Sequence, residues 1–139
     1  MAKSLFPEEM MENAGGSLTL ETIAGKLSFF YEQLHLLHFQ TTSFAEHEAL
    51  GKIYDKVGDF QDEIVEKIMG YSGKRIKAFK IDVLKDYAPG MPNKVVRELV
   101  SFAKQLEEFG ESNNMPDIEN VAQSLSGEAA QTLYRLTLS

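Results

Sequence analysis

Three histidines, His35, His38 and His47, and two carboxylates four residues apart, Asp62 and Glu66, are the residues of this 139-residue chain whose types suit metal chemistry. Neutral imidazoles and carboxylates are the ligands that iron and manganese sites use in helical bundles. The chain has no cysteine, which excludes thiolate zinc sites, iron–sulfur clusters, thiol nucleophiles and disulfide frameworks. Whether the five residues act together depends on the elements that carry them and the faces on which they lie.

Hydrophobic periodicity supplies those elements. From Ser17 to about Gln40, Leu20, Ile23, Leu27, Phe30, Leu34 and Leu37 recur at helical spacing, which predicts a first helix, α1, with Ser17 as its N-cap. Ser43 and Glu46 have the spacing of a capping box, so a second helix, α2, is predicted from Phe44 to Gly70, and the short link makes an antiparallel hairpin. Residues 74–90 read as a crossover that ends at Ala88-Pro89-Gly90. Helix α3 follows over 92–109, and α4 starts near Pro116 and runs towards Tyr134 and Leu136, with Gly127 weakening its middle. Residues 1–16 mix Pro7, an acidic cluster and Gly15-Gly16, a composition expected of a mobile arm ahead of one helical domain spanning 17–139. The expected fold is all-α: a ferritin-like four-helix bundle with a long connection between α2 and α3.

At about 100° per residue, Leu50, Tyr54, Val57, Gln61, Val65 and Ile68 form the expected buried stripe of α2, with His47 at its edge. Asp62 and Glu66 fall roughly 60° and 100° from His47, flanking the core. Gly51 and Gly58 share that side, where missing side chains would admit another backbone, and a second subunit is the natural one. Glu32-Gln33-Leu34-His35 is the only Glu-x-x-His in the chain, so a di-iron centre inside the bundle lacks its second motif. The expectation is a site at a subunit boundary.

His47-Glu48-Ala49-Leu50, Tyr54, Asp62-Glu63-Ile64-Val65-Glu66-Lys67 and Gly70 resemble the second-helix signature of the Dps family, the miniferritins, and its small uncharacterised members, viral ones among them, as much as its iron-storage members. In that family a histidine is followed after fifteen residues by Asp and after four more by Glu, the spacing of His47, Asp62 and Glu66. The resemblance implies a site between two-fold-related subunits that binds ferrous iron and oxidises it with peroxide or dioxygen. It also implies a histidine from the end of α1. His38 followed by Phe39 matches that pair if the α1–α2 loop is shortened, whereas His35 keeps the spacing to His47 without a gap. Four features depart from the family: Gly51 stands where an acid is frequent, the loop is short, α4 is poorly matched, and no lysine-rich arm precedes α1. The resemblance covers residues 25–73 well and the rest by architecture.

Bland readings stand beside these. Asp62 and Glu66 also suit a solvated i, i+4 pair, and His38, near the centre of the apolar stripe of α1, suits a hydrogen-bonded structural residue. Phe29, Phe30, Tyr31 and Phe39 read as core or interface packing. The functional expectation is a homo-oligomer, at least a dimer through α1 and α2, binding iron (zinc and manganese are the alternatives) with ferroxidase activity. The alternative is a non-catalytic ferritin-like assembly protein. Fourteen basic against 21 acidic residues, a net charge of −7, disfavour nucleic acid. No apolar run is long enough to span a membrane and the opening residues are too acidic for a signal peptide, so a cytoplasmic location is expected.

Overall fold

Four helices, α1 (Leu20–Gln40), α2 (Phe44–Ser72), α3 (Met91–Ser112) and α4 (Pro116–Arg135), make up the fold. The computed structural model describes residues 18–138, and among these there is no strand. The arm predicted over 1–16, together with Ser17, lies outside the described residues. No described helix is long and apolar enough to cross a membrane.

The helix ends follow local chemistry. Thr19 caps α1: its side chain accepts from the Thr22 amide while the Thr22 hydroxyl accepts from the Thr19 amide, satisfying two groups that a helix start leaves open. Helix α2 runs two residues beyond the predicted Gly70 because Gly73, at φ 72°, is the residue that adopts the left-handed cap. The predicted capping box at Ser43 is only half formed. Ser43 Oγ accepts from the Glu46 amide, but the Glu46 carboxylate instead accepts from the hydroxyls of Thr41, at 2.6 Å, and Tyr87, at 2.8 Å. Helix α3 continues past the predicted Phe109 because Gly110 is buried where the α3–α4 turn closes over it, 2.7 Å from its position for a Cβ to the Glu119 amide nitrogen.

The crossover is an extended strap over residues 73–90. The Lys77 amide donates to Glu21 at the start of α1, and Tyr87 bonds Gln40 at its end. Between these points α1 rises about 28 Å, and residues 77–87 reach about 33–36 Å when fully extended, so the strap runs largely extended along α1. Gln33, entirely buried, spans the middle: its amide accepts from Lys85 N–H at 2.8 Å and donates to Lys85 C=O at 2.9 Å. The hydrogen bond from Lys77 holds the Glu21 carboxyl below its usual range, and the Glu46 carboxylate holds the Tyr87 phenol above its own. The strap returns the chain to the end where α1 finished. Helix α3 therefore runs parallel to α2, and α4 runs back beside α3.

Helices α1 and α2 pack as one hairpin and α3 and α4 as the other, with α2 against α4, and one core joins all four. Phe30 and Phe102 meet at its centre, ring centroids 5.9 Å apart. The buried stripe of α2 is turned from the predicted one towards Ala49, Ile53 and Ile64, because α4 covers that side, while Tyr54 and Val65 are only half-buried. Helix α4 passes through Gly127 unbroken, and nothing lies within 4 Å of a Cβ built there. Gly127→Ala is therefore expected to stabilise the protein by about 0.5–1 kcal/mol, through helix propensity alone. A lowered midpoint in thermal unfolding would contradict this.

Candidate functional site

The turn at residues 41–43 sets the end of α1 against the start of α2, which brings His38 beside His47. Each histidine bonds the backbone of the other. His38 Nδ1 lies 2.8 Å from the His47 carbonyl oxygen, and His47 Nδ1 lies 3.0 Å from the His38 carbonyl oxygen. A carbonyl can only accept, so both Nδ1 atoms carry a proton and donate. In the neutral rings Nε2 is then the lone-pair nitrogen. This tautomer, fixed by an Nδ1–H bond to a carbonyl, is one in which histidine ligates metals.

The two rings are stacked, with centroids 3.9 Å apart and planes 17° from parallel. Lone pairs lie in the ring planes, so these two run side by side and do not converge on a point. One ion at an imidazole–metal distance of about 2 Å cannot take both rings as they stand. Each Nε2 offers a separate ligand position.

Gly51 makes this stack sterically feasible. A Cβ at that position would lie 3.0 Å from Cε1 and 3.2 Å from Nδ1 of His38. Gly58 does the same for Tyr31, whose Cε1 would meet a Cβ at 3.2 Å. The expectation that these glycines admit a second subunit's backbone is thereby corrected: α1 of the same chain fills both spaces with ring side chains.

His35 lies one turn before His38 and outside the stack. Its ring packs face to face on Tyr54, centroids 4.1 Å apart, and against Phe39 at 4.4 Å, while Tyr31 meets Tyr54 edge-on at 5.5 Å. His35, His38, Tyr31 and Tyr54 are half-buried, forming an aromatic row along the outer seam of α1 and α2. Phe39 and Phe44, at the turn end of this seam, are 70% and 77% exposed. Neither belongs to the core, so of the two packing roles foreseen for Phe39 the core one is excluded.

Asp62 and Glu66 are both exposed further along α2. Asp62 stands about 22 Å along the helix axis from His47. Within one chain the histidines and the carboxylates are therefore not brought together, and among the described residues no three such side chains converge to hold a metal ion. Sequence reasoning did not single out Gln61 as a functional anchor. Its amide donates to the Ala24 carbonyl and to Ser28 Oγ, tying the middle of α2 to α1. A polar residue on a predicted apolar stripe was its one signal.

Fold and site together define an all-helical protein whose first hairpin is closed by a reciprocal histidine pair. The chain belongs to the family of unknown function DUF5856, which it matches over residues 38–136, a span that includes His38, His47, Asp62 and Glu66 but not His35. It is similar to the uncharacterized 14.6 kDa protein in the mobD-ri intergenic region of Enterobacteria phage T4, at 26% identity over 111 residues, 75% of this chain and 77% of that protein. No solved structure matches.

Proposed function

We propose that this is a ferritin-like protein of the miniferritin type that takes ferrous iron as substrate at the boundary between two copies and passes its electrons to peroxide or dioxygen. The observation that carries the reading is the pair of Nδ1–carbonyl bonds of His38 and His47, which leaves the lone pair of each neutral ring on Nε2, the atom that could ligate a metal. A second copy would supply Asp62 and Glu66, whose exposure leaves them able to meet a neighbour. The stack implies that the imidazoles serve two ligand positions, each completed by a carboxylate of the other copy. His35, wedged between Tyr54 and Phe39, would line the site from the side. The strap, which makes α3 parallel to α2, supports the ferritin-like connectivity.

The second reading is a non-catalytic assembly protein of the same fold, favoured by the stack itself. Two crossed hydrogen bonds and ring packing give His38 and His47 a structural role that needs no metal. Anaerobic titration of the purified protein with Fe(II) and with Zn(II), alongside light scattering, separates the two. On the first reading, saturable binding per chain is expected in a dimer or larger assembly, and both His47→Ala and Asp62→Ala abolish it. If neither ion binds, and His47→Ala alters only the melting temperature, the assembly reading stands instead.

A further inference from the structure

The strap differs in chemistry from the rest of the molecule. Lys74, Arg75, Lys77, Lys80 and Lys85 lie within it against Asp82 and Asp86, in a chain whose net charge is −7. All five basic side chains are exposed, and among the described residues none is in an ion pair; the pairs there are Lys56 with Glu128 and Lys67 with Glu63. Between these charges Phe79, Ile81 and Val83 are 38%, 46% and 86% exposed. The Phe79 ring is turned to α1, 3.5 Å from a Cβ built at Gly25, so Ile81 and Val83, two residues apart and on one face of an extended chain, are the apolar side chains left open. Two apolar side chains left in water on an extended segment lack the covering that the core of this fold gives its others.

The backbone points the same way. The strap is held to α1 at Lys77, Lys85 and Tyr87, but the amides of residues 78–84 make no hydrogen bond to any described residue. An exposed extended segment with open amides is the receptor of peptide recognition by strand addition, in which backbone bonds supply affinity and alternate side chains supply selectivity. We propose that the strap is a docking edge for an extended acidic segment of a partner protein. Acidic side chains of that segment would meet the five cations, and aliphatic ones alternating with them would cover Ile81 and Val83. The strap of a second copy is a poor occupant, because it brings the same positive charge. A membrane surface is another, because a bilayer interface leaves extended amides unpaired and selects amphipathic helices.

The probe is a fluorescein-labelled peptide of alternating glutamate and valine, with an alternating lysine and valine peptide as its counterpart, read by fluorescence anisotropy against the full chain. The acidic peptide is expected to bind saturably, and to weaken about tenfold as salt rises from ~50 to ~300 mM. Arg75→Glu with Lys80→Glu, and separately Val83→Asp, are each expected to weaken it about tenfold. These side chains are exposed, so the variants should keep the parent's circular dichroism and melting temperature. Vesicles containing phosphatidylserine are expected not to bind. Absence of binding by the acidic peptide, equal binding by the basic one, indifference to both variants, or tighter binding to the vesicles each overturns the proposal. Iron binding plays no part in these readouts, so the outcome is independent of the function proposed above.

Discussion

Gly25→Ala is expected to lower the unfolding free energy by about 2–3 kcal/mol, although alanine in place of an internal helical glycine ordinarily raises it by about 0.5–1 kcal/mol. Gly25 is buried in the middle of the first turns of α1, and a Cβ there would run into the Lys80 carbonyl of the strap, far inside van der Waals contact. The obstacle is backbone, so no rotamer change relieves it. The strap is pinned to α1 on both sides of this point, and lifting it strains the Lys77–Glu21 bond and the paired bonds between Gln33 and Lys85. A loss of this size is a large fraction of the roughly 5–15 kcal/mol that holds an ordinary domain together. Urea unfolding measures it, and hydrogen exchange at the Lys85 amide should accelerate alongside. If Gly25→Ala melts at or above the parent temperature, the strap does not lie on α1 as described.

The second large effect concerns Gly51. Glu is the substitution of interest, because an acid at this position is what the miniferritin resemblance leads one to expect. By that logic Gly51→Glu adds a ligand and strengthens metal binding. The structure predicts the reverse. A Cβ 3.0 Å from the His38 ring requires that ring to shift by a few tenths of an ångström, and a ring held by the stack and by its bond to the His47 carbonyl gives way only by straining both. The expected cost is about 1–3 kcal/mol, from a strained hydrogen bond and displaced packing, together with a shifted His38 Nδ1–H signal in imidazole nitrogen NMR spectra. If the protein binds metal through His38, its affinity falls despite the added carboxylate. An unchanged imidazole spectrum with tighter metal binding would show instead that position 51 is open to a ligand.

These two glycines mark a boundary in what the amino-acid order reveals. Positions of the helices were legible because they depend on residues three or four apart. Apolar spacing placed α1, α2, α3 and α4 within a few residues of their ends, and the short link between α1 and α2 made them antiparallel. The misplaced ends arose where two local solutions competed. Gly70 and Gly73 both suit a helix end, and only the chain's path into the strap selects Gly73 for the positive φ. Glu46 suits a capping box, but Tyr87, 41 residues later, draws its carboxylate away.

The composition also excluded thiol and thiolate chemistry outright, since cysteine is absent, and it named His35, His38, His47, Asp62 and Glu66 as the residues with metal-binding chemistry. Their arrangement was another matter. Periodicity says which side of a helix a residue faces, but not what another helix brings to that side. Gly51 and Gly58 therefore read as openings for a neighbour, when they are filled by His38 and Tyr31 of the same chain. The same limit hid the strap's path, because Gln33 meets Lys85 across 52 residues of sequence with no local pattern to announce it. The set of helices and the inventory of reactive groups followed from the amino-acid order alone, both being governed by short-range backbone geometry and residue chemistry. That two histidines lock each other's tautomer, that α1 fills the spaces at Gly51 and Gly58, and that a basic strap lies along α1 against Gly25 came from the packed helices, because each is a contact between separate elements that no local pattern announces.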